Sequence, residues 1–295
     1  MKKILTTAFV LGALYGTAQA ATITSPIYMP TKGDNVSTLN IGYTKSSFDT
    51  ATADGANTKD DFEKSWDLGL NGGYGISDKL SLNYGFDLLF NREMRSIINN
   101  YQKTTDKSSK LKNVYLGLTG RAVDADANKF DILFNVGQQA EKYWSSYNYD
   151  QNYASLAVRY GLDLGMYNMA LSVGSKFVGQ YQDDNEKIDS SFNYFAKLEN
   201  ELIFADNFTM GLDLFYNYTP KTSYNDGVQI SKYKAFSEYG FNVDLNYALN
   251  DSNFLGLYFG MSDNNITQNY SNGGTDLHYE DLTEYNGGIK LTTKF

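Results

Sequence analysis

The 295-residue chain carries 25 Lys and Arg against 34 Asp and Glu, a formal net charge of -9, which argues against nucleic acid as a partner. It has no Cys and one His, so disulfide and Cys-metal frameworks and multi-His metal sites are excluded. Aromatics are abundant, 25 Tyr and 18 Phe, yet mean hydropathy is -0.44, too polar for a bundle of membrane helices.

Residues 1–20 read as a signal peptide. Lys2 and Lys3 precede an apolar run from Ile4 to Tyr15, and Ala18-Gln19-Ala20 supplies small residues around a cleavage site. The run is about a dozen residues, short of the ~20 that span a bilayer as a helix. No later window is apolar for the length of a membrane helix. Residues 21–35 hold Pro26 and Pro30 and are expected to form a periplasmic lead-in; the alternative is a segment folded into the lumen described below.

From 36 to 295 the chain alternates with period two, the pattern of strands with two unlike faces. The apolar sets run Leu39–Tyr43, Trp66–Tyr74, Leu80–Phe90, Val114–Leu118, Phe130–Val136 and Ala154–Tyr160. They continue through Met169–Phe177, Phe192–Leu202, Phe208–Tyr216, Tyr239–Tyr247, Leu255–Met261 and Tyr285–Phe295. That makes about twelve strands, or ten or fourteen if one has been merged or split. Asn200 falls on the apolar side of the eighth, where a bulge is expected. The opposite parity is polar or glycine almost throughout. Links after even strands are short, such as Gly75–Asp78 and Ala205–Asn207. Those after odd strands are long and polar, such as Lys45–Asp61 and Ser262–Asp281. The expected fold is all-β, a transmembrane antiparallel up-and-down barrel with apolar residues outward and a polar lumen.

The last segment ends on an aromatic, with Tyr285, Ile289, Leu291, Thr293 and Phe295 on one parity and Lys290 and Lys294 on the other. It resembles the terminal strand of Gram-negative outer-membrane β-barrels. The resemblance implies residence in the cell outer membrane, with outer-membrane lipid and lipopolysaccharide around the protein. It also implies recognition by the barrel-assembly machinery through Tyr285, Gly288, Leu291 and Phe295.

Twelve strands tilted about 40° enclose a backbone cylinder roughly 24 Å across, with a bore of about 10 Å or less. Inward parity places Asp87, Lys176, Lys197, Asp213, Glu238 and Lys290 near mid-membrane, and Asp131, Arg159, Glu199 and Asp244 nearer the periplasm. Asp131 and Arg159 are expected to pair across neighbouring strands. Inward glycines leave room, while Tyr115, Tyr153, Phe195, Phe215 and Tyr258 fill it. The expected function is passive diffusion of small polar solutes or ions through a narrow pore, with a weak cation preference. The rival is a structural or surface-interaction barrel without an open pore.

Catalysis is not expected. His278 lies in an acidic loop, and its sequence neighbours do not follow the order of the barrel phospholipases; pairing with Asp276 resembles the omptin-type proteases only superficially. The clusters Asp60-Asp61-Phe62-Glu63 and Asp183-Asp184-Asn185-Glu186 lack the spacing of a defined calcium loop. No cofactor or metal site is expected.

Overall fold

The computed structural model describes residues 23–52, 57–95, 103–105, 110–141, 149–182, 187–205, 207–225, 230–270 and 277–295; the expected signal peptide lies outside them. Among the described residues none is helical, and twelve long strands form the wall. They are β1 (Asn35–Thr52), β2 (Asn57–Ser77), β3 (Leu80–Arg95), β4 (Lys110–Ala125), β5 (Asn128–Glu141) and β6 (Tyr149–Asp163). They continue with β7 (Tyr167–Val178), β8 (Ser191–Ala205), β9 (Phe208–Thr219), β10 (Phe236–Asn250), β11 (Asn253–Tyr270) and β12 (Leu277–Lys294). Each pairs antiparallel with the next, and β12 pairs with β1, so the sheet is a closed barrel. The seam is sealed by its outermost residues. Asn35 N–H donates to the Phe295 carbonyl at 3.1 Å, and Phe295 N–H donates back at 2.8 Å. Closure leaves no edge, which a sheet in hydrocarbon requires because unpaired backbone groups find no water there.

The burial pattern is inside-out. Leu116, Leu156, Leu257 and Ile289 are at least half exposed, whereas Asp131, Ser81, Asn168 and Thr209 are buried. Exposed aromatics gather at two heights. Tyr74, Tyr160, Phe204, Tyr247 and Phe295 ring the short-turn end; Tyr43, Trp66, Phe177, Phe192 and Tyr239 ring the loop end. Leu118, Val158, Leu171, Leu212 and Leu257 occupy the band between them. Aromatic girdles bounding an aliphatic belt match a bilayer, whose interfaces favour amphipathic rings.

Asn200 points outward with no bulge at that position. Its register with Leu212 and Met169 is unbroken, and the shift lies nearer the turn, between Ile203 and Ala205. The amide is tolerated because it is satisfied: Nδ2 donates to the Leu212 carbonyl at 2.9 Å, and the Tyr167 hydroxyl donates to Oδ1 at 2.6 Å.

Register fixes the girth. A row of paired residues from Asn35 through Tyr74, Leu82, Leu118, Phe134, Leu156, Ser175, Tyr194 and Tyr218 continues into β10–β12. It returns to β1 about 14 residues from its start. For twelve strands this stagger gives a tilt of about 40° and a backbone diameter of roughly 24 Å.

The four fully described turns at one end are tight, as at Asp78-Lys79 and Asp251-Ser252. At the other end the strands outrun the expected loops. β1 continues to Thr52 and β2 begins at Asn57; β11 continues to Tyr270 and β12 begins at Leu277. Short pieces, Lys103–Thr105, Tyr181–Gln182, Lys187–Ile188, Thr222–Asn225 and Ile230–Tyr233, extend the sheet there. Their sequences are largely polar on both parities, so they carry no apolar alternation. His278 lies on such an extension, its backbone paired with Ala51; its side chain is outside the described residues.

Candidate functional site

Strand alternation delivers the inward residues, and the structure gathers most of their charges into compact groups. Asp131 on β5 is 1% exposed and accepts hydrogen bonds from two guanidiniums: Arg159 on β6 at 2.6 and 3.0 Å, and Arg121 on β4 at 2.8 Å. Lys197 lies between Glu199, 2.7 Å away, and Asp213 on β9, 3.0 Å away. Lys290 reaches across β11 to Asp244 at 2.7 Å, above Gly256. Lys290 and Asp244 were expected at different heights; strand tilt and the length of the lysine bring them together. Lys176 bonds to Gln139 and sits 4.0 Å from the Tyr153 ring centroid. Glu238 accepts from Asn217 at 3.1 Å, and Asp87 is hydrogen-bonded by Asn113. The ten residues therefore divide among several groups on the wall rather than forming a single ring.

Three further inward cations escape a simple parity reading. The β3–β4 register shifts between Asp87 and Leu88, and Lys112 consequently turns toward Asp67, 3.4 Å away. Asn91 adopts a left-handed φ of 52°, which reverses parity on β3 and turns Arg92 onto Glu63 at 2.9 Å. Arg121 lies beyond Leu118, where the expected apolar set of its strand stopped.

The inward aromatics and glycines are complementary. The Tyr115 ring lies across Gly85, where an added Cβ would collide with it, and Gly137 is covered by Tyr115 and Tyr153. A Cβ at Gly174 would come within 2.6 Å of Phe195, and one at Gly240 within 2.6 Å of Phe215. The rings thus lie against the wall and take up the space the glycines leave.

Residues 23–34 follow the second of the two courses open to the segment before β1. They form a strap across the short-turn mouth, inside the barrel. Thr24 Oγ1 donates to Glu201 on β8 at 2.6 Å. Ile27, 2% exposed, packs against Gly161 on β6, and its carbonyl accepts from Arg121 at 2.6 Å. Pro30 lies over Gly73, and Lys32 bridges in parallel to Gly75 on β2. Gly33, at φ 90°, turns the chain into β1. Asp34 is tied to Lys294 at 2.8 Å, and the hydrogen bonds from Lys294 and Thr31 hold its carboxyl below the usual range. Apolar Ile27 and Met29 find burial in the mouth, and the glycines of β2 and β6 give the backbone room.

Above the strap is a cavity of about 350 Å³. Tyr28, Met29 and Pro30 form its floor, and β2–β6 form its side.

No protein-family model and no curated sequence matches the chain. Solved structures do match, in fold. The chain is similar to an outer-membrane channel from Pseudomonas putida F1, with a TM-score of 0.61 at 15% identity over 94% of this chain and 100% of that one. It is similar to the NanC porin, with a TM-score of 0.50 at 11% identity over 86% and 100%. The translocator domain of the autotransporter NalP from Neisseria meningitidis gives 0.50 at 8% identity over 100% and 95%. A channel, a porin and a translocator share the architecture, so it is the architecture that the likeness identifies. The closed antiparallel barrel, its aromatic girdles and these neighbours give the chain the fold of the outer-membrane β-barrel proteins.

Proposed function

We propose that the protein is an outer-membrane channel through which small hydrophilic solutes and ions diffuse passively, and that it reaches that membrane through the signal peptide at 1–20. The observation that carries this reading is the wall of the lumen. Its charges are compensated in small groups and the rings lie against it, which suits a water-filled bore better than a packed core. The proposal assigns no catalysis, and the partners it requires are outer-membrane lipid, lipopolysaccharide, the assembly machinery and the permeating solute.

One observation favours the rival reading. The strap crosses the mouth from β8 to β2 and narrows whatever path exists. A barrel closed there would serve as a structural or surface-interaction protein. Single-channel recording of refolded protein in a planar bilayer separates the two. Discrete conductance steps support the channel, and a silent bilayer containing folded protein supports the rival.

A further inference from the structure

We infer that the cavity above the strap is a binding subsite for a neutral polyhydroxylated solute of mono- or disaccharide size; this rests on the channel reading and deepens it. Four consecutive strands each contribute an asparagine to its lining: Asn71 from β2, Asn83 from β3, Asn113 from β4 and Asn135 from β5.

A carboxamide has two donors and an acceptor oxygen with two lone pairs. The protein uses only part of that capacity. Asn83 donates to Thr119 at 2.7 Å and accepts weakly from Ser81 at 3.4 Å, Asn113 accepts from Tyr153 at 3.1 Å and bonds Asp87, Asn135 donates weakly to Ser155 at 3.4 Å, and Asn71 is exposed and makes no side-chain hydrogen bond. The remaining capacity faces the cavity. Groups that both donate and accept match hydroxyls, which do the same.

Charge selects against ionic ligands. Arg159 is the charged lining residue, and its guanidinium is committed to Asp131 through two hydrogen bonds. A carboxylate entering here would lose hydration to meet guanidiniums already bonded to Asp131, and an ammonium would meet their net positive charge. Tyr115 lies flat against the wall over Gly85, offering a ring face to the C–H surface of a sugar. The volume, about 350 Å³, is at the small end of ligand sites. Tyr28, Met29 and Pro30 close the floor, so a solute arriving from the loop end is held before it passes.

The test uses the refolded full-length protein with D-glucose, maltose and a polyethylene glycol of maltose's hydrodynamic size. Binding is read by calorimetry in detergent, and ion-current block by bilayer recording. Maltose or glucose should release heat and interrupt the current, while the glycol should do neither. Asn71→Ala removes no internal bond and therefore leaves the fold intact; it should weaken sugar binding about fivefold, the loss of one hydrogen bond. Asn135→Leu should do the same or more, and Lys232→Ala at the loop rim should change nothing. Conductance without sugar heat or block overturns the subsite and leaves the channel reading standing. Equal block by sugar and glycol also overturns it, because size alone would then explain the effect. Sugar heat lost in Asn71→Ala, in a protein that never conducts, supports the subsite and overturns the channel.

Discussion

Asp131 is the residue on which most local structure depends. It is buried between Arg121 and Arg159, and Arg121 in turn holds the carbonyl of Ile27 in the strap. Removing the carboxylate leaves two guanidiniums in a confined site without their anion. Asp131→Ala is expected to destabilise the barrel by about 3–5 kcal/mol, read by urea unfolding of refolded protein. An unchanged midpoint would mean that water replaces the anion at no cost. Gly85 makes the converse case. Gly85→Val would push the Tyr115 ring off the wall into the bore, lowering conductance while stability changes little. Asp34 adds a pH effect. Its carboxyl is held below its ordinary value in the folded state, so its tie to Lys294 is present above the unfolded pKa, about 4, and is lost as pH falls through the lower folded value. Acid should therefore loosen the strap, visible as conductance flicker below about pH 4. Asp34→Asn should flicker at all pH values. At this scale parity named Asp131 and Arg159 as partners, but not Lys112 or Arg92. A bulge or one left-handed residue reverses the face of everything beyond it, and no side-chain pattern announces either.

At the scale of elements, apolar alternation was legible wherever lipid enforced it, and it faded where lipid ends. The terminal strand is the clearest case. Tyr285, Ile289, Leu291 and Phe295 are exposed, while Lys290 and Lys294 turn to acids inside. The loop-end extensions of β1, β2, β11 and β12 were missed because their sequences are polar on both parities and do not alternate. The strap was left between two readings for a related reason. Its two prolines and its short length fit a loose lead-in, and its docking depends on glycines scattered over β2 and β6 that only closure brings together. The barrel seam is made by Asn35 and Phe295 and does not need the strap. Deleting residues 23–33 should therefore leave a folded, heat-modifiable barrel whose unitary conductance rises roughly twofold or more, since the narrowest region dominates resistance. A deletion variant with unchanged conductance would place the constriction elsewhere.

For the whole molecule, the open quantity is the sign and size of the field along the bore. A net charge of -9 does not settle it, because charge outside the lumen is screened within about 10 Å at ordinary ionic strength. Inside, Lys290 answers Asp244, Lys112 answers Asp67, and Arg92 answers Glu63. The triads are unequal: Asp131 with two arginines leaves a positive excess, and Lys197 with Glu199 and Asp213 leaves a negative one. These two excesses oppose each other. Asp87 and Glu238, held by the amides of Asn113 and Asn217, then outweigh Lys176, which bonds the amide of Gln139. As the proposed channel, the barrel should accordingly prefer cations weakly, giving a small reversal potential of cationic sign in a salt gradient. Replacing Asp87 and Glu238 together by Asn and Gln should bring that potential to zero or past it, with the fold unchanged, since the amide partners can bond to amides as well. Clear anion selectivity in the unaltered protein would overturn this balance, and would point to Arg159 and Arg121 at the strap as the groups that ions meet where the path is narrowest.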